Sequence, residues 1–323
     1  MSGISRRKFL AASVAAGAAT TLAGPKKALA VGSFSGYPDS MGVLVDLTRC
    51  IGCRSCEAAC NKEQQLPDPN LPFDDMSVFD QTFHHGTQKR RTDESAYTVV
   101  NRYKPEGRDP IYRKVQCNHC AEPACLSSCF VNAYTKTKEG AVIYNGSVCV
   151  GCRNCMIACP FNVPAYSYSS AFGPVIKKCI FCYDTRLKDG KPPACVEICP
   201  QEALTFGKRK DLLKIGHQRI QTHPGRYIDR IYGEKELGGT HWMYLSPIPV
   251  EEVGFDPRPG NEPIISHVKD FLGVVPMVLA IWPALFTGFH LLAKNQEGHD
   301  DHEHETGHQQ GSGQKHDDER GQQ

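Results

Sequence analysis

The chain lacks a spare cysteine. All 16 of its cysteines fall into four groups of four, so none remains to build a further metal centre of another kind. A glycine-rich nucleotide fingerprint between a strand and a helix is also missing, which removes the usual signature of a nucleotide-dependent enzyme. Strong charge of either sign is absent, the formal balance of the 323 residues being +2. One stretch, Phe271 to Ala293, has no formally charged residue at all. These absences leave little with which the chain could carry out catalysis by itself.

What is present is the cysteine pattern. The quartets are Cys50, Cys53, Cys56 and Cys60; Cys117, Cys120, Cys125 and Cys129; Cys149, Cys152, Cys155 and Cys159; and Cys179, Cys182, Cys195 and Cys199. The first and third read CxxCxxCxxxC, the spacing by which bacterial ferredoxins hold cubane iron-sulfur clusters on a tight loop and the following helix. Two other chemistries use many cysteines: a disulfide framework in an exported protein, and zinc sites built from CxxC pairs. Zinc sites join two such cysteines to two distant ligands, whereas here three crowd into seven residues. The spacing therefore predicts four [4Fe-4S] clusters, with the sixteen cysteines as iron ligands.

The ends of the chain speak to compartment. Ser5-Arg6-Arg7-Lys8-Phe9-Leu10 precedes an apolar stretch and Ala28-Leu29-Ala30, the form of a twin-arginine export signal over residues 1–30. That route moves folded proteins, so clusters assembled in the reducing cytoplasm can cross with the chain, and the mature protein is expected to start near Val31. Residues 271–293 are long enough to span a bilayer, with Pro276 and Pro283 expected to kink the helix where partner helices satisfy the freed carbonyls. The alternative for this segment is a buried core helix. His290 near its end is a candidate contact for a quinone or a haem propionate, against the plainer role of an interfacial packing residue. The tail, 294–323, has eight acidic residues, three basic residues and five histidines, the composition of a solvated, disordered segment.

Between the ends, residues 31–262 form the exported cluster domain and 263–270 a linker. Gly42 to Cys60 (GVLVDLTRCIGCRSCEAAC) repeats as Ala141 to Cys159 (AVIYNGSVCVGCRNCMIAC): a strand, a loop bearing three cysteines, then a helix. The fourth quartet is stretched by Tyr183 to Ala194, a surface insertion. Asn61 to Gln116, with Pro67, Pro69, Pro72, His84, His85 and a basic run Lys89 to Arg91, reads as an extended surface connection, with docking of a catalytic partner as the alternative. Strands are expected at Ala203 to Gly207 and His241 to Leu245, with an amphipathic helix from Lys208 to Gln221. Arg49, Arg54, Arg113, Lys114, Arg153, Lys177 and Lys178 stand beside the cysteines, where they would offset the negative charge of thiolate-bound clusters. Their clustering there, with export, argues against a nucleic-acid partner.

Beyond the motifs, the chain resembles a family. CNHC at Cys117 to Cys120, PACVEICP at Pro193 to Pro200, YGEKELGGTHWMY at Tyr232 to Tyr244 and the single C-terminal apolar stretch resemble the iron-sulfur subunits of membrane-bound periplasmic oxidoreductases. The signal and the YGEKE segment are most similar to the electron-transfer subunit of hydrogenase-2-type [NiFe] hydrogenases, with formate dehydrogenase-N beta subunits related. The resemblance implies an α+β fold of two bacterial-ferredoxin-like halves, one inserted in the other, plus one transmembrane helix. It implies crossed ligation: Cys50, Cys53, Cys56 with Cys199; Cys179, Cys182, Cys195 with Cys60; Cys117, Cys120, Cys125 with Cys159; and Cys149, Cys152, Cys155 with Cys129. Cys129 is followed by Phe130 and Cys60 by Asn61, where proline is commonly found in relatives, so the turns after these two are expected to differ.

The function so implied is non-catalytic electron relay between a periplasmic catalytic subunit, a [NiFe] hydrogenase, and a quinone-reactive integral membrane subunit, at the periplasmic face of the membrane. A beta subunit of a formate dehydrogenase or other molybdopterin oxidoreductase is the alternative. A diffusible polyferredoxin and a thiolate metal-binding structural protein are the alternatives from other classes.

Overall fold

The computed structural model describes residues 37–82, 89–168, 175–256, 259–267 and 274–291. The expected signal peptide, His84, His85, both ends of the 271–293 segment and the 294–323 tail lie outside them. Two compact bodies divide at Ile264/Ile265.

In the first body, β1 (Met41–Asp46) enters the first cysteine loop, which opens into α1 (Ser55–Gln64). A hairpin of β2 (Val99–Tyr103) and β3 (Ile111–Val115) then delivers the chain to Cys117. Next come α2 (Ala124–Ser127), the hairpin of β4 (Tyr134–Lys136) and β5 (Val142–Tyr144), and α3 (Asn154–Ala158). A short ladder of β6 (Ala165–Tyr166) and β7 (Ile176–Lys177) precedes Cys179. α4 (Ala194–Glu197), β8 (Leu204–Lys208), α5 (Arg209–Thr222), β9 (Ile231–Tyr232) and β10 (Trp242–Leu245) complete it. The three elements expected after Cys199 are each present, displaced by about one residue.

The main sheet has the order β8-β1-β10-β9. β1 runs parallel to β10, Val43 opposite Trp242, and antiparallel to β8, Val43 opposite Phe206. Val43, Leu44 and Val45 of β1 and Trp242 to Leu245 of β10 are aliphatic or aromatic because both faces are covered, and alternation splits their side chains between two cores. Leu44, Met243 and Leu245 pack with Leu212 and Ile231 beneath α5. Val43, Val45, Trp242 and Tyr244 face the other way, onto Phe181, Leu187, Val250 and Phe255. That second core is the one that contains cysteines, so the sheet forms the floor of the candidate site. A separate small core joins Cys125, Tyr134, Val142, Cys155 and Ile176. Helices pair accordingly: α1 packs on α4, and α2 on α3.

The segment 61–116 departs from an extended surface connection. It buries Val78, Phe79, Val99 and Val100 and is pinned by charge. Glu57 of α1 accepts hydrogen bonds from Arg54, from Arg90 and from the Val100 N–H, while the Arg54 guanidinium also donates to the carbonyls of Pro72 and Asp75. Arg90, at the centre of the basic run, is therefore a structural residue: a carboxylate buried on α1 needs its cation.

In the second body, α6 (Val274–Leu291) is long and apolar enough to cross a membrane, and none of it is buried inside the protein. That exposure is unlike a core helix. The helix continues through Pro276 and Pro283, and the Thr287 hydroxyl donates to the Pro283 carbonyl at 2.7 Å. His290 lies near its end with an exposed side chain.

Candidate metal centres

The repeat folds into one loop made twice. In CIGCRSC and CVGCRNC the glycines, Gly52 and Gly151, both have φ 73°, and the arginines, Arg54 and Arg153, both sit in the left-handed region with φ 61°. Each arginine is the residue at which a helix starts, so the backbone reverses around the sulfurs before entering α1 or α3. In the second of these loops the reversal turns an amide proton inward, Gly151 N–H donating to Cys149 Sγ at 3.4 Å; in the separate Cys179 loop the Phe181 N–H donates to Cys179 Sγ at 3.4 Å.

The fourth cysteines show why proline is dispensable at two of them. After Cys159-Pro160 and Cys199-Pro200 the chain closes a turn in which Asn162 and Glu202 donate to the cysteine carbonyl at 3.1 Å. Contrary to the expected difference, Cys129-Phe130 closes the same turn, Asn132 N–H donating to the Cys129 carbonyl at 3.1 Å. Cys60 differs because α1 runs on past it to Gln64, and a proline at 61 would remove a helical N–H.

Packing of α1 on α4 and of α2 on α3 brings sulfurs from different quartets together. Cys50, Cys53 and Cys56 line one cavity with Cys199. Cys117, Cys120 and Cys125 line a second with Cys159. Cys60 stands among Cys179, Cys182 and Cys195. Cys155 has Cys149, Cys152 and Cys129 as neighbours. Among the described residues, no three His, Cys, Asp or Glu side chains converge as they would on a single metal ion; two of the thiol sets line cavities instead.

Residues 109–209 match the model of a 4Fe-4S dicluster domain. The chain is 54% identical over 295 residues to a protein of Nitratidesulfovibrio vulgaris, covering 90% of this chain and 78% of that one. It is 35% identical over 241 residues to the hydrogenase-2 operon protein HybA of Escherichia coli O157:H7, covering 67% and 73%. Over 278 residues it is 30% identical to the iron-sulfur subunit of the nitrate-inducible formate dehydrogenase of Escherichia coli K12, covering 83% and 90%. The chain belongs to this family of iron-sulfur subunits.

The interior of this iron-sulfur subunit fits a bound anionic metal group. Burial pushes the Cys50 thiol up to about 11, Cys179 to about 12 and Cys125 to about 12, with neighbouring thiols adding to the rise. Such thiols would stay protonated in an empty protein, because their thiolates would be both desolvated and mutually repelling; a cationic metal core in place of their protons relieves both costs. The counter-charges are already installed. Lys114 and Lys178 are each only 2% exposed; burial opposes the charge on Lys114, but Cys195, Cys56, Cys179 and Cys60, once thiolates, outweigh it and raise Lys114 above its usual range. Lys136 is half-buried beside Cys120 and Cys117; desolvation lowers it to about 7.

One orphaned donor points the same way. His119, inside the CNHC loop, accepts from the Val142 N–H on Nδ1 at 2.9 Å, so its proton sits on Nε2. That buried N–H has no partner among the described residues. A fully buried donor beside two thiols is costly unless a bound group accepts from it. Nothing in the residue pattern singles out His119 beyond its place between Cys117 and Cys120.

Of the seven basic residues read beside the cysteines, Lys114 and Lys178 face the thiols. Arg54 serves Glu57 and Arg113 lies 3.8 Å from the Phe255 ring centroid. Arg49 pairs with Glu202 at the surface, and Arg153 donates to the Tyr168 hydroxyl at 3.3 Å. Lys177 lies in β7.

Proposed function

We propose that the chain is a non-catalytic electron relay that holds four [4Fe-4S] clusters in two ferredoxin-like halves, the second inserted in the first. The first half holds one cluster on Cys50, Cys53, Cys56 and Cys199 and another on Cys179, Cys182, Cys195 and Cys60. The second half holds one on Cys117, Cys120, Cys125 and Cys159 and another on Cys149, Cys152, Cys155 and Cys129. Bound clusters of this kind supply reversible one-electron chemistry.

The observation that carries this reading is that the four thiol sets form one series. Cys155 neighbours Cys125, Cys117 neighbours Cys179, and Cys195 neighbours Cys56. A store of metal or a structural zinc protein has no need of such continuity; a relay does. At one end of the series Ile51 and Ile198 are exposed, and at the other Phe130, Val148, Val150 and Ile157. Apolar side chains next to both terminal sets suit protein partners that exchange electrons with them.

On this reading one partner is a catalytic oxidoreductase subunit, a hydrogenase by similarity to HybA, with formate dehydrogenase the alternative that the other relatives support. The second is a quinone-reactive membrane subunit, beside which α6 anchors the chain. Residues 1–30 direct export by the twin-arginine route, placing the relay on the periplasmic face; replacing Arg6 and Arg7 by lysine is expected to leave the loaded protein in the cytoplasm. Analysis of the anaerobically purified chain should find about sixteen iron atoms and as many acid-labile sulfides. Predominant zinc would overturn the reading. Catalytic subunits that co-purify from mild-detergent membranes distinguish hydrogenase from formate dehydrogenase.

A further inference from the structure

The two buried lysines change sides. Lys114 lies near the end of β3, the strand that runs into Cys117 of the second half, yet it lines the cavity of Cys50, Cys53, Cys56 and Cys199, and the other thiols around its ammonium, Cys195, Cys179 and Cys60, also belong to the first half. Lys178 immediately precedes Cys179 of the first half, yet it lines the cavity of Cys117, Cys120, Cys125 and Cys159 of the second. Each segment that enters a CxxC pair thus hands its cation to the opposite half.

Their other contacts follow the same exchange. Lys114 Nζ lies 4.5 Å from the ring centroid of Trp242 on β10 and donates to Gln116 Oε1 at 3.2 Å. Gln116 is in turn fixed by Nε2 donating to the Tyr244 hydroxyl at 2.7 Å. Lys178 Nζ donates to the Val142 carbonyl of β5 and to the Cys179 carbonyl, and lies 5.8 Å from the Tyr134 ring centroid on β4. These acceptors are neutral. Two buried ammoniums with neutral acceptors cost more than they return unless negative charge stands nearby, and the thiolate-bound groups are the negative charge available.

We propose that Lys114 and Lys178 are a reciprocal pair of redox-positioning residues, each raising the potential of the clusters bound by the half to which its own cysteine motif does not belong. A fixed cation in a low-dielectric interior favours the more negative, reduced state of whatever redox group it faces. Because the two lysines flank the junction where Cys117 neighbours Cys179, they jointly set the driving force of the step between halves. Each half then reaches its working potential only when the other is folded against it. This proposal rests on the four-cluster relay reading.

The test uses the full chain with Lys114→Met and Lys178→Met, substitutions of similar length without charge. Iron and sulfide are measured first, and centres are assigned to halves with cysteine-to-serine variants. In titrations followed by electron paramagnetic resonance, Lys114→Met is expected to move first-half midpoints to more negative values and leave the second half in place. Lys178→Met should do the reverse, and arginine at either position should preserve the unsubstituted values. Full iron content with unmoved midpoints, equal shifts in both halves, or a shift confined to the lysine's own half would overturn the proposal. If a methionine variant loses iron, glutamine replaces it. Loss of the opposite half's centres in both uncharged variants, with retention in arginine, supports the exchange; loss of all centres in every variant, arginine included, counts against it. A shortfall of iron in the unsubstituted chain instead fails the relay reading.

Discussion

Glu57 and Arg90, 33 residues apart, form a buried ion pair with Arg90 Nη1 3.0 Å from Glu57 Oε2. The pair ties the segment between the first and second quartets to the helix that bears Cys56 and Cys60. Its removal should therefore be felt in two places at once. Glu57→Gln leaves the Arg54 and Arg90 guanidiniums without their carboxylate, and breaking such a pair from one side typically costs about 3–5 kcal/mol. Denaturant unfolding of the loaded protein should report that loss, and limited proteolysis should cut between 66 and 98 faster than in the unsubstituted chain. Unchanged stability would mean the pair contributes only to register.

Gly52 has φ +73°, and a Cβ built there would come within 2.3 Å of the Tyr112 ring. Gly52→Ala therefore combines an unfavourable backbone conformation with a clash beside Cys50 and Cys53. The expected cost is about 1–3 kcal/mol from the backbone alone, with loss of one cluster's worth of iron. Iron analysis that stays at the full complement would show that the loop has room to move.

Cys60→Ser probes the crossed arrangement. Cys60 stands among Cys179, Cys182 and Cys195, so the centre perturbed should be theirs, not that of Cys50, Cys53 and Cys56. Paramagnetic resonance spectra of the reduced variant decide the matter, since a change confined to the Cys50 centre would contradict the assignment.

Truncation after Glu262 removes α6 and leaves the cluster-bearing body, whose division from the rest falls at Ile264/Ile265. The truncated chain should keep its iron and still pass electrons from its catalytic partner to an artificial acceptor. Quinone reduction should collapse, because the relay is no longer held at the membrane. A truncated complex that stays membrane-bound and reduces quinone at the normal rate would assign anchoring to another subunit.

Much of this protein is legible locally. The cysteine spacing, the glycine and arginine of each CxxCxxC loop, the strand that enters it and the helix that leaves it are separated by few residues, and backbone sterics act over that range. The apolar run of α6 is equally local, since hydropathy and length need no partner to be read. The segment 61–116 was not legible in this way: Arg90 lies in a basic run that looks solvated, and only the approach of Glu57 makes it a buried counter-ion. Lys114 and Lys178 could be seen to stand near cysteines, but not that each faces the other half's thiols. That outcome depends on how α1 packs on α4 and α2 on α3, and on β10 bringing Trp242 beneath Lys114. Local propensity sets backbone conformation; the sign and direction of a buried charge are set by what packs around it, and that is a property of the tertiary structure alone.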